Sequence, residues 1–148
     1  MKKIYLAMLI ALVGFAFNGC APKEEVDGAL QGYWQNDLTQ EGVHFLSEAG
    51  YQTGYQYGYE WDDKNDLTEQ DRLDQRNKDG FPGNGWFAYK LETITDSKKT
   101  TKQLTWINFM KNGGAEIPKI YIVTKLTNTK LEFYTKDDKS DTYSFTRK

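Results

Sequence analysis

Between residues 54 and 61 the chain alternates without a break, with Tyr55, Tyr57, Tyr59 and Trp61 set against Gly54, Gln56, Gly58 and Glu60. Only an extended strand, whose successive side chains point to opposite sides, gathers all four rings on one face. Four rings on one side of a strand are too much apolar area to leave in water, and each buried phenol needs a partner for its hydroxyl. The stretch therefore commits the chain to a β-sheet with at least one covered face. Such alternation belongs to antiparallel rather than parallel sheets.

Further β-rich runs centre on 30–34, 43–46, 86–93, 103–109, 120–126, 130–134 and 142–147, which with 53–61 makes eight. In the last run Tyr143, Phe145 and Arg147 share one face against Thr142, Ser144 and Thr146. Asn112-Gly113-Gly114, Thr127-Asn128-Thr129 and the stretch 137–141 are turn chemistry between neighbouring runs. Short links of this kind imply a meander of antiparallel neighbours, in a sandwich or a barrel.

Only 62–85 breaks the pattern. Asp66 followed by Glu69 has the spacing of a capping box, with Leu67 and Leu73 as anchors of a short helix that ends by Gly80. Glycine-rich chain around Phe81 follows, and a connection this long in a compact β domain is a functional loop or a tolerated insertion. Asp62, Asp63, Asp66, Glu69, Asp71 and Asp74 form a dense acidic run, but no glycine falls where a calcium loop turns sharply. The basic residues among them favour a solvated helix face.

Ahead of the first run, Lys2 and Lys3 precede a charge-free apolar stretch over 4–17. This is the layout of a secretion signal and is short of the about 20 apolar residues a membrane span needs. The expected organisation is a signal peptide over 1–19, a tether over 20–29 and a single domain over 30–148. Without Lys2 and Lys3 the 19 basic residues fall to 17 against 21 acidic ones, about four net negative charges, and no basic run invites nucleic acid. Cys20 is the one cysteine, so no disulfide can form within the chain. His44 is the one histidine; it alternates outward from Val43 and Phe45 and has no nucleophile or orienting acid near it in sequence. No cofactor and no catalytic residue is expected.

Two resemblances add to this reading. Phe17-Asn18-Gly19-Cys20 resembles the bacterial lipobox, which implies lipid attachment at Cys20 and a membrane partner held through acyl chains. Ala21 is not an acidic inner-membrane retention residue, so the expected address is the outer membrane, facing the periplasm or the cell surface. From residue 30 to 147 the chain resembles the lipocalin-like lipoproteins of Gram-negative bacteria, on Gly32-Tyr33-Trp34 as a G-x-W motif and on Arg147 at the end of the last run. That resemblance implies an all-β fold: a single antiparallel eight-stranded up-and-down barrel, with an inserted loop or short helix between the third and fourth strands. It also implies that Arg147 packs across Trp34 to close the base. The expected function is non-enzymatic binding of a small apolar or glycan-like ligand in the barrel; Tyr55, Tyr57, Tyr59 and Trp61 are then its wall, or else simply filled barrel core, and Phe81 stands on the loop above. The alternative is a protein-interaction module at the envelope, an inhibitor or adhesion subunit, in which the same loop meets a protein partner.

Overall fold

The computed structural model describes residues 29–61, 68–80 and 82–148. Eight strands follow one another: β1 (Gly32–Asn36), β2 (Gly42–Ala49), β3 (Gln56–Trp61), β4 (Trp86–Asp96), β5 (Lys99–Asn108), β6 (Lys119–Leu126), β7 (Lys130–Thr135) and β8 (Asp138–Arg147). Each pairs antiparallel with the next, and β8 returns to pair with β1, so the sheet closes into a barrel with no free edge. One helix, α1 (Glu69–Asp79), lies between β3 and β4.

Register carries each face around the barrel. Trp34 stands opposite Val43, Val43 opposite Glu60, Phe45 opposite Gly58, and Gly58 opposite Phe87. These positions point inward, and Trp34, Val43, Phe45, Phe87, Tyr89, Leu104, Trp106, Tyr121, Phe133 and Phe145 form the interior cluster. A second cluster lies on the outer side of β3, β4 and β5, where Tyr59, Trp86, Ala88, Ile107 and Phe109 are buried with Tyr55, Tyr57 and Trp61 at their edge.

Part of that outer cluster is covered by α1. Leu73 is the helix's single apolar anchor, and Arg76 lies over the rings of Trp86 (5.1 Å) and Tyr57 (5.7 Å) while pairing with Glu48 at 2.7 Å. The helix starts two residues later than the sequence suggested. Thr68 caps it, its hydroxyl accepting from the Asp71 amide at 3.2 Å and the Asp71 carboxylate accepting from the Thr68 amide at 2.8 Å. Gly80 ends it in the left-handed region, as expected.

The stretch 137–141, read as a loop, is mostly strand. Asp138 accepts from the Ser140 amide and hydroxyl, and Thr135 donates to Asp141 at 2.5 Å, so the polar side chains satisfy the ladder's end and the turn shrinks to two residues.

The base is closed by Trp34 and Arg147. Trp34 is completely buried and donates its indole N–H to the Leu30 carbonyl at 2.7 Å. The Arg147 guanidinium carbon sits 4.3 Å from the centre of the Trp34 ring, and its two terminal nitrogens donate to the Gln31 carbonyl (2.6 Å) and the Ala29 carbonyl. Gly32 makes this possible: a Cβ there would lie 2.6 Å from Arg147 Nη1, and its φ of 123° is one that side chains rarely adopt. The Gly, the Trp and the Arg are one mechanical unit.

Candidate ligand site in the barrel mouth

The lower half of the barrel is solid, since Trp34, Phe45, Phe87, Tyr89, Leu104, Leu126 and Leu131 are its most completely buried large side chains. The upper half is not. There the walls enclose a cavity of about 570 Å³, lined from every strand except β4. That volume is within the range of about 300–1,000 Å³ typical of small-molecule sites.

Trp106 stacks on Phe87 at 4.0 Å toward the packed interior, with its indole N–H donated to Asn108 at 2.8 Å. Phe133 stands between Tyr143 (5.2 Å) and Phe145 (5.6 Å), nearly parallel to both, and Tyr121 meets Phe133 at 4.8 Å and Tyr143 at 5.6 Å. Four aromatic rings on β6, β7 and β8 thus make one continuous wall facing Trp106 and Val43. Burial, with the negative charge of Asp141 nearby, pushes the Tyr121 hydroxyl up to about 12 and raises that of Tyr143. Both are neutral hydroxyls at physiological pH, able to donate or accept.

The rim is polar and charged: Asn36 and Glu41 flank the β1–β2 turn, Glu60 comes from β3, Arg72 from α1, and Asn108 and Lys119 from the ends of β5 and β6. Loss of hydration between the barrel walls raises the Glu60 carboxyl above its ordinary value, and the like charges of Glu41 and Glu116 add to this while Arg72 opposes it.

The sequence-predicted wall is elsewhere. Tyr55, Tyr57, Tyr59 and Trp61 share a face, but it is the outer one. The inward positions of β3 are Gln56, Gly58 and Glu60. Gly58 has to be inside because the Phe87 ring occupies the space where its side chain would go, 2.3 Å from a Cβ. Of the four aromatics only Trp61, at the end of β3, reaches the rim of the cavity. Phe81 and Cys20 lie outside the described residues. Trp34 and Arg147 meet at the base, away from the opening.

The outer face does hold a polar network. His44 Nδ1 lies 2.9 Å from the Tyr59 hydroxyl, which is 3.3 Å from the Tyr33 hydroxyl, and the Tyr33 ring stacks on His44 at 3.8 Å. His44 is thus outward, as expected, yet buried and satisfied by its neighbours. Among the described residues no group of three His, Cys, Asp or Glu side chains is placed to hold a metal ion.

Sequence reasoning passed over Trp106, Tyr121, Phe133 and Glu60 as site residues. The signal that finds them is parity: once Arg147 is placed inward over Trp34, Phe145 and Tyr143 must follow, and register then turns Phe133 and Tyr121 to the same side. No protein-family model, curated protein or solved structure matches the chain. The reading of the site rests on its own geometry.

Proposed function

We propose that this chain is a lipocalin-like lipoprotein of Gram-negative bacteria, held on the outer membrane by acyl chains on Cys20 and acting without catalysis as a binder of small amphipathic molecules. The observation that carries the binding role is the half-filled barrel: a packed base beneath a 570 Å³ cavity with an aromatic wall and a polar rim. The Gly32, Trp34 and Arg147 unit supports the family reading. Ala29 joins the domain at the closed end, so a tether there leaves the mouth facing away from the membrane.

Trp106 is the natural reporter, since it lines the cavity and stacks on the packed interior, with Trp61 at the rim as a second one. Titration with fatty acids, sterols, short glycans and amphipathic amines is expected to give a saturable change in fluorescence with at least one class, and Trp106→Phe to reduce the signal while binding persists. No saturable change with any class overturns the cavity reading. Cys20→Ser is expected to shift the protein from the membrane to the soluble fraction; a Ser variant that still pellets with outer membranes once its signal is removed refutes the lipid anchor.

One observation favours the protein-interaction alternative. Leu38 and Ile117, on the two loops flanking the mouth, are 90% and 87% exposed. Large apolar side chains this bare, on the same end of the barrel, are suited to a protein contact. Loss of a partner on Leu38→Ser with ligand binding unchanged would mark the rim as a separate site.

A further inference from the structure

Glu60 stands at the mouth of this cavity, with its side chain still exposed to water. It lies on the inward side of β3, directly opposite Val43, in the same chamber as Trp106, Tyr121, Phe133 and Tyr143. Its backbone amide is held by the Gly85 carbonyl, which anchors the strand end, but no described side chain donates a hydrogen bond to its carboxylate or comes within ion-pair distance of it.

The nearby amides are committed elsewhere. Asn108 directs its NH₂ toward Glu116 at 3.4 Å, and Asn36 is fixed through its side-chain oxygen, which accepts from the Leu38 and Thr39 amides, with no hydrogen bond from its NH₂ to Glu60. The charged groups facing Glu60 are Glu41 from the β1–β2 turn and Glu116 from the β5–β6 connection, both of the same sign, and Arg72 from α1, of the opposite sign; Lys119 stands on the rim at the start of β6, and the Tyr121 and Tyr143 phenols are neutral.

We infer that the ligand of this cavity carries a positive charge, an ammonium or guanidinium group on an apolar body, received by the Glu60 carboxylate and the ring faces of the aromatic wall. The inference rests on the cavity reading above and names the class of molecule that fits it. Three effects decide among ligand classes. A neutral ligand that fills the cavity strips more water from Glu60 and leaves a covered carboxylate with no partner, which is costly. An anion adds repulsion to that cost. A cation removes the cost through a charge-assisted hydrogen bond and gains attraction from the negative faces of the rings, the combination used to recognise organic ammonium ions.

The test uses three probes of similar length, 4-phenylbutylamine, 4-phenylbutan-1-ol and 5-phenylpentanoate, titrated into the soluble Cys20→Ser chain and read by Trp106 fluorescence excited where phenyl groups do not absorb. The amine is expected to bind about tenfold more tightly than the alcohol, and the acid more weakly than both. In Glu60→Gln the amine is expected to fall to within about twofold of the alcohol, which loses the cost of covering a carboxylate, binds at least as tightly as before and so shows that the variant is folded and its cavity intact. In the unsubstituted cavity, acidification through the raised Glu60 titration should erase the preference in the same way. An alcohol or acid that binds as tightly as the amine, or a preference that survives in Glu60→Gln, overturns the cationic assignment and leaves the cavity reading standing. Failure of all three probes to bind overturns the cationic assignment, and takes the cavity reading with it where the titration with the other ligand classes is also silent.

Discussion

Arg147→Met isolates what holds the base of the barrel shut. Methionine keeps an unbranched chain that covers much of the Trp34 ring, so charge and hydrogen bonding are lost while most of the packing stays. The cation-π contact at 4.3 Å is partly desolvated and is worth about 1–2 kcal/mol. The 2.6 Å hydrogen bond to the half-buried Gln31 carbonyl has a charged donor and adds about 1.5–2 kcal/mol. The bond to Ala29 adds little, because that exposed carbonyl can turn to water. Against these stands Arg147 Nε, which is buried without a partner, so its removal recovers about 1 kcal/mol. The net cost is about 1.5–3 kcal/mol, which for a domain of this size lowers Tm by roughly 10 °C. Urea denaturation should show a lower midpoint at an unchanged slope, since the native surface barely changes. A variant within about 0.5 kcal/mol of the parent would refute the reasoning, because surface substitutions alone give that much.

Two further outcomes test the seam and the strand face. Asp37 accepts from Ser144 (2.5 Å) and Thr146 (2.6 Å) and pairs with Lys130, contacts that hold its carboxyl down at about 2. Its folded value lies below its unfolded one, so the stabilisation is present above about pH 4 and lost as pH falls toward 2; discounted for its exposure, it amounts to about 1 kcal/mol. The stability gap between the parent and Asp37→Asn should therefore be full at neutral pH and close in acid, and a gap independent of pH would contradict the assignment. Gly58→Ala places a Cβ 2.3 Å from Phe87 and 2.7 Å from the His44 carbonyl, and is expected to cost about 1–3 kcal/mol in a denaturation midpoint. A neutral result would mean that Gly58 does not face the interior.

Much of the fold was legible because strand chemistry repeats locally. All eight runs became strands, and the shared face of Tyr143, Phe145 and Arg147 is the inward one. The site was less legible, and β3 shows why. Period-two alternation says which side chains travel together and is silent on which side of the sheet they take. The usual presumption sends the aromatic side inward, but here the outer side is also covered, by α1 with Leu73 and Arg76. What decides is a partner 29 residues away: Phe87 needs the space at Gly58, and that contact belongs to the pairing of β3 with β4. The capping box was displaced for a simpler reason, since Thr68 with Asp71 repeats the spacing of Asp66 with Glu69 two residues along the chain.

The closing contact has a consequence for how the molecule comes into being. Arg147 bonds to a carbonyl 116 positions earlier, and β1 has no other partner on that side than β8. Until the last strand arrives, β1 is an open edge beside a Trp34 ring without its cover, and a barrel missing one stave is a template for pairing with other chains. Each hairpin can form as its residues become available, but the ring closes only when the two ends of the domain meet, the slowest kind of contact to make. Folding of this chain is therefore a last-step event, vulnerable to aggregation while it waits and most exposed to loss of residues at the end where Arg147 stands.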